Sequence, residues 1–428
     1  MGTGGLRVRG IGPKKVHTRG AEHFGPQDSP AHRALLFWAP LILLAAFLCW
    51  RLLALSAGLP PYLREGSNDL SIYRQAGEAL LRGEIPYRDF FIEYPPGSLP
   101  LFAVPALFST DETGYITLFS WEMALVMAAT LVVTALTARK LRGLRVWIFP
   151  ALTFSAAAIM LYPVAATRYD AVVALALAIA AFCTTLNGRY LLLAYASLGF
   201  GAAAKIVPAL ATVPLALARR GGAVRGYAVF VGVLALFFAP ALLLGGGGFL
   251  QGLAYHANRG LQAESLAASV LMKLGWVNEI VFAYGALEVR GRGAEFAGSL
   301  SPPLTGALLL VTAFFMYREH RSGRSGLEAF PRYAALLILA FMLGSKVLSP
   351  QYVIWLLPLV PLGAGGVTGI LVSALFLAVC WTTTQVYPIH YDDLLELRSP
   401  GPDLLLLRNL LLLVLWSLLL LSPRRVAR

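Results

Sequence analysis

Three short stretches carry the residues that could do chemistry: Ser67-Asn68-Asp69-Leu70-Ser71-Ile72-Tyr73, Gly83-Glu84-Ile85-Pro86-Tyr87 and Glu93-Tyr94-Pro95-Pro96-Gly97. They form the one long polar interval near the start of an otherwise apolar chain. Acids kept beside a bilayer are costly, and they point to function. Asp69 is the first candidate. Partly desolvated at a bilayer edge, it is suited to take a proton from a sugar-like hydroxyl. Ser-Asn-Asp also reads as a helix start, and capping is compatible with proton transfer. Glu93 is the second acid, with a solvated loop as its plainer reading, and Asp89 follows it. Tyr73, Tyr87 and Tyr94 would support the site.

Cations complete the chemistry. Arg168 and Asp170 open an apolar run after Tyr162-Pro163, where a local ion pair is the simple reading. Lys205 lies in Gly201-Ala-Ala-Ala-Lys-Ile-Val-Pro208, deep in an apolar stretch. A lysine there must meet an anion or a cavity, or snorkel to the interface. Tyr255 to Ser265 holds His256, Arg259, Gln262 and Glu264. Its plain reading is a solvated loop, yet arginine and histidine together also suit a phosphate. Lys346, Gln351 and Tyr352 make a further polar break, whose Ser349-Pro350 could serve only as a kink. His390 belongs to a polar stretch expected on the same face. A base beside several phosphate-type cations suggests one reaction class, the displacement of a sugar from a lipid phosphate onto an acceptor hydroxyl.

The elements that must position these groups are membrane helices. The chain has 428 residues, 58% hydrophobic and only 13% charged. A soluble domain is nearer one quarter charged. The net charge of +13 is clustered in the N-terminal stretch, short loops and the C-terminus. That pattern fits the cytoplasmic bias of Lys and Arg and excludes a nucleic-acid surface, which needs a contiguous basic face. Cys49, Cys183 and Cys380 sit in apolar runs and offer neither a disulfide framework nor metal spacing.

A span needs about 20 apolar residues, and about 12 transmembrane helices are expected. They lie near 35–57, 115–137, 146–164, 169–186, 190–203, 206–218, 226–244, 302–318, 332–346, 350–363, 367–386 and 404–422. The short ones suggest broken helices lining a cavity. Residues 1–33 read as a disordered basic cytoplasmic tail, 34–423 as one transmembrane domain and 424–428 as a basic cytoplasmic tail. With the N-terminus inside, Arg139 to Arg142, Arg189, Arg219-Arg220, Arg318 to Arg324 and Arg424-Arg425 all fall on the cytoplasmic side. The external face then receives residues 58–114, the Arg168 turn, a long loop 245–301 and the polar breaks at 346–352 and 390–398. Within 58–114, helices over 70–82 and 96–109 are expected to lie at the interface. The external loops look too small for a separate globular domain.

These motifs in this order resemble family 87 of the glycosyltransferases, polytopic enzymes of the GT-C class. The resemblance rests on Asp69 with Tyr73, Gly83 to Pro86-Tyr87, Tyr94-Pro95-Pro96, Arg168-Tyr169-Asp170, Lys205-Ile-Val-Pro208, Arg259 to Ser265, and Leu348-Ser-Pro-Gln-Tyr352 with Trp355 to Pro358. It implies an all-α, GT-C-like bundle. It further implies an inverting transfer, usually of mannose, from a polyprenyl-phosphate sugar to a lipid or glycan hydroxyl on the outer face of the plasma membrane. Asp69 would be the base. Arg168, Lys205, His256, Arg259 and Lys346 would serve the donor phosphate and sugar. Tyr73, Tyr87, Glu93, Tyr94, Asp170, Gln262, Glu264, Gln351, Tyr352 and His390 would support the site or the acceptor. The resemblance also implies no nucleotide sugar, and no cofactor or metal is expected; Asp392-Asp393 are adjacent acids rather than the spaced pair of nucleotide-sugar enzymes.

A flippase or transporter for a lipid-linked glycan would use similar cations, but spread along a path through the membrane. A glycan polymerase would lean on a large external loop with Arg and His, to which His256 and Arg259 correspond. A scaffold would not need Lys205.

Overall fold

In a bilayer the backbone must satisfy its own hydrogen bonds, so long apolar runs become helices. The computed structural model describes residues 29–59, 69–186, 188–218, 222–323 and 326–422. The chain divides into two compact units, Met1–Ile42 and Leu43–Arg428. In the first unit the described residues are helical from Pro30, as the opening of α1 (Pro30–Ala57). A proline suits the first helical turn, where its missing N–H costs nothing. The helix thus starts inside the expected tail, of which residues 1–28 lie outside the described residues, as do 424–428.

In the second unit, α2 (Asp69–Leu81) and α3 (Leu99–Ala106) are the two short helices expected near the interface. There follow α4 (Glu112–Arg142), α5 (Ile148–Met160), α6 (Asp170–Thr184), α7 (Leu191–Ala204), α8 (Thr212–Ala218) and α9 (Ala223–Ala257). After α10 (Leu266–Lys273) comes a hairpin of β1 (Val277–Ala283) and β2 (Ala286–Gly291). The chain ends in α11 (Ala294–Arg321), α12 (Phe330–Gly344), α13 (Gly366–Thr384) and α14 (Gly401–Leu421). Among the described residues, seven helices are long and apolar enough to cross a membrane, and five apolar helical stretches are shorter. Among the described residues one small hairpin is the only sheet, and the chain is an all-α multi-pass membrane protein.

Every expected span is helical at its place, and the shorter ones include the 3-10 turns Val207–Ala211 and Pro350–Leu356. Two expectations change. Helix α9 runs to Ala257 rather than ending near 244, across a kink at Gly246. The run Gly245 to Gly248 passes against Tyr87, and a Cβ on Gly248 would fall 1.7 Å from the Tyr87 carbonyl oxygen. The glycines therefore serve close packing inside a helix rather than a loop. The remainder of the expected external loop is also ordered. Leu261, Ala263, Ala268, Leu271, Val277, Val289 and Ala294 form a hydrophobic core of their own. The hairpin turn is Tyr284-Gly285, both with positive φ (48° and 65°), the geometry of a tight two-residue connection.

The helices have two distinguishable ends. At one end, Arg142 reaches the Ala364 carbonyl, and Arg332 pairs with Glu319 at 2.8 Å and donates to the Leu419 and Leu420 carbonyls. Arg139, Lys140, Arg318 and Arg321 occupy the last turns of α4 and α11 at that end. At the other end, α6 begins with Asp170, α7 stops before Lys205, and α12 stops before Lys346.

Candidate active site

Asp69 opens α2, and its two oxygens have different partners. Oδ1 accepts from the Tyr94 hydroxyl at 2.9 Å, and Oδ2 lies 2.7 Å from Arg168 Nε. The Asp69 side chain keeps 30% of its exposure while that of Arg168 keeps 8%. The carboxylate is thus reachable and the guanidinium behind it is not. Burial first, then the Asp69 charge, pushes the Tyr94 phenol well above its ordinary value, so it remains a proton donor to Asp69. Tyr73 is raised well above its ordinary value by the same two causes in the same order. Its ring stacks on Phe102 at 4.3 Å and meets Tyr94 edge-on at 5.2 Å, fixing the wall beneath the carboxylate.

Arg168 does not pair with its neighbour Asp170, as the simple reading of that turn has it. A helix start sends the two side chains apart. Arg168 goes to Asp69, donates to the Thr167 carbonyl at 3.0 Å and meets the Tyr387 hydroxyl at 3.4 Å. Asp170 goes inward, where its Oδ1 accepts from Lys205 Nζ at 2.8 Å and from Trp355 Nε1 at 2.7 Å. Lys205 also faces the rings of Tyr169, Tyr352 and Trp355 at 5.2, 5.0 and 5.3 Å. Three rings and a carboxylate thus surround the amine of a lysine that lies in an apolar stretch. Tyr169 is the spacer between the two clusters, with its ring 5.6 Å from Tyr94 and 5.7 Å from Tyr73.

Gly97 brings the Pro-Pro turn against the end of α7. A Cβ there would lie 2.4 Å from the Ala203 carbonyl carbon. Only glycine admits this approach, which seats the turn after Tyr94 on the last residues of α7 before Lys205.

Glu93 forms an ion pair with Arg259, whose Nε donates to the Tyr284 carbonyl at 2.9 Å. His256 Nε2 meets the Glu93 backbone oxygen at 2.7 Å. Burial pushes the Glu93 carboxyl up to about 7, against the lowering effect of Arg259 and with a raising effect from Asp69. Lys346 Nζ donates to the carbonyls of Ala257, at 2.9 Å, and Arg259, so it holds the end of α9 in place. Gln262 bonds Ser349 Oγ at 3.1 Å. Tyr352 stacks on Trp355 at 4.2 Å, and Gln351 precedes it, half-buried. Tyr87 donates to the Tyr94 carbonyl at 2.7 Å.

The structure thus gathers Asp69, Tyr73, Tyr94, Arg168, Asp170, Lys205 and Tyr352 into linked clusters. Glu93, His256 and Arg259 adjoin them through the Glu93-Tyr94 peptide. Two expected residues are committed elsewhere. Glu264 is buried in an ion pair with Arg408 at 2.9 Å, and burial raises its carboxyl against the pull of that arginine. His390 pairs with Asp393 at 2.9 Å within its own turn. Sequence reading missed Arg408 and Asn409, whose signal was an Arg-Asn pair inside a leucine run. Asn409 bonds the Glu264 and Ser265 carbonyls and Ser269 Oγ. Trp355 and Tyr169 were also missed as partners of Lys205; Tyr352 and Trp355, three apart, were the available clue. Among the described residues no group of three or more metal-type side chains converges.

No curated protein matches the chain. Similar solved structures include that of ArnT from Cupriavidus metallidurans bound to undecaprenyl phosphate and that of the same protein in the apo state. Each shows 14% identity and a TM-score of 0.49, and the alignments cover 91% and 90% of this chain and 78% of the other. The model of glycosyltransferase family 87 matches residues 91–350, a range that takes in Glu93, Arg168, Asp170, Lys205, Arg259 and Lys346 and begins after Asp69. On that match the chain is a member of glycosyltransferase family 87.

Proposed function

We propose that the protein transfers a hexose, mannose in the first instance, from a polyprenyl-phosphate donor to a hydroxyl of a lipid or glycan. The observation that carries this reading is the half-exposed Asp69 carboxylate, backed by buried Arg168 and joined through Tyr169 to caged Lys205. The acceptor oxygen attacks the anomeric carbon from the face opposite the phosphate. The bond from that carbon to the phosphate oxygen breaks, the configuration inverts, and Asp69 takes the hydroxyl proton. The polyprenyl phosphate leaves with its charge met by cations. Lys205 and Arg259 are assigned to that charge, with Arg168 orienting Asp69 and His256 and Lys346 fixing the end of α9.

The reaction is assigned to the outer face of the plasma membrane, with both termini cytoplasmic. The support is the separation of helix ends: Arg139, Lys140, Arg142, Arg318 and Arg321 lie opposite the site, and such residues favour the cytoplasm. The test is to supply purified protein with polyprenyl-phosphate mannose and a lipid extract and to follow mannolipid formation. Donor consumption with inverted product supports the reading, and turnover of a nucleotide sugar in its place contradicts it.

A further inference from the structure

A groove of about 270 Å³ runs beside α2, outside the ionic clusters described above. One wall is the helix stripe Ile72, Ala76 and Ala79, and the other is Phe91 and Ile92, with Gln75 at the rim. Asp69 is not part of the lining but stands one helical turn before Ile72. Positions 69, 72 and 76 share one face of a helix. The opposite wall continues from Ile92 through Glu93 to Tyr94, whose hydroxyl bonds Asp69 at 2.9 Å.

The charge of the groove differs from that of the site it leads to. Arg82 lies 2.6 Å from Glu84, and neighbouring Arg74 lies 2.7 Å from Glu78. The lining itself carries two acids, Glu78 and Glu84, against one arginine, Arg82, so the groove disfavours an anion. What the groove offers is planar polar groups on one side and an aromatic face on the other. Phe91 is 58% exposed and is braced edge-on by Tyr255 at 5.3 Å. A ligand with hydroxyls around its edge and apolar C–H faces fits both. Its volume lies just below the roughly 300 Å³ at which pockets for drug-sized ligands begin, which suits one or two sugar residues rather than a lipid chain.

We infer that this groove is the acceptor subsite, and that it takes the neutral sugar end of a glycan and delivers its hydroxyl to Asp69. The inference rests on the reading of Asp69 as base. Its test therefore reads binding without turnover, using the full chain in phosphatidylcholine nanodiscs and saturation-transfer NMR. The probes are mannotriose, maltotriose and mannose 6-phosphate. At least one neutral trisaccharide receives saturation from the wild type and from Asp69→Asn. In Gln75→Trp and in Phe91→Ala, both substitutions at exposed positions, its affinity falls about tenfold or more. No transfer to either trisaccharide, or transfer that Gln75→Trp leaves intact, overturns the assignment. Stronger transfer to mannose 6-phosphate, lost in the same variants, overturns it in favour of an anionic acceptor. Failure of Asp69→Asn to abolish glycosyl transfer would count against the base alone, because it leaves this binding readout untouched.

Discussion

Arg168 Nε lies 2.7 Å from Asp69 Oδ2, and this contact ties the opening of α2 to the turn that starts α6. The guanidinium is buried and the carboxylate is not, so the arginine orients Asp69 from behind and leaves the open side to a substrate. Arg168→Gln is expected to lower transfer by about 10²–10³-fold, the usual scale for a preorganised charged group. Steady-state rates at saturating donor check this, and an unchanged rate would remove Arg168 from the mechanism.

Lys205 is held by Asp170 and three rings, so its position depends on those four residues. Lys205→Ala should raise the donor KM far more than the acceptor KM. Trp355→Phe keeps the ring but loses a hydrogen bond to a charged group, worth about 1.5–3 kcal/mol. Its donor KM should therefore move in the same direction as that of Lys205→Ala. Equal effects on donor and acceptor would argue against phosphate binding at Lys205.

Glu93 makes stability depend on pH. Its folded value of about 7 exceeds the ordinary 4.5. Between those values the folded state keeps a proton that the unfolded state has lost. Its contribution is therefore fully present below about pH 4.5 and is lost as pH rises through about 7, an effect of roughly 3 kcal/mol. Melting temperatures of Glu93→Gln should fall less than those of the wild type as pH rises across that window. Parallel curves for the two proteins would contradict this.

The Glu264–Arg408 pair is structural. Arg408→Met would strand a buried carboxylate, at a cost of about 3–5 kcal/mol. The double change Glu264→Gln with Arg408→Met should recover much of that loss. Thermal unfolding in detergent decides between recovery and additive loss, and additive loss would mean the two residues act independently.

The helices and the cation-bearing breaks were legible because each follows from local rules: apolar run length, a capping pattern, a proline pair. Lys205 stood out as a charge in an apolar stretch, and Asp69 and Arg259 as members of polar intervals in an apolar chain. Their partners did not, because pairing is tertiary. Nothing local sends Arg168 to Asp69 and its neighbour Asp170 to Lys205; that division follows from where α2 and α7 pack. The glycine run at 245–248 misled for a similar reason. Glycine-rich sequence favours a loop unless another backbone comes close, and here Tyr87 does. The hairpin at 277–291 was signalled by β-branched residues around Tyr284-Gly285, a cue that the strong helical pattern elsewhere overshadowed.

The most direct measurement is transfer from a synthetic polyprenyl-phosphate mannose to a lipid and glycolipid extract, followed by mass spectrometry, with Asp69→Asn alongside. The account predicts donor-dependent mannolipid from the wild type and a loss of about 10²–10⁴-fold in the variant, with donor binding retained. Normal turnover by Asp69→Asn would contradict Asp69 as the base. Consumption of neither this donor nor its arabinose, galactose and glucose analogues would contradict the transfer itself.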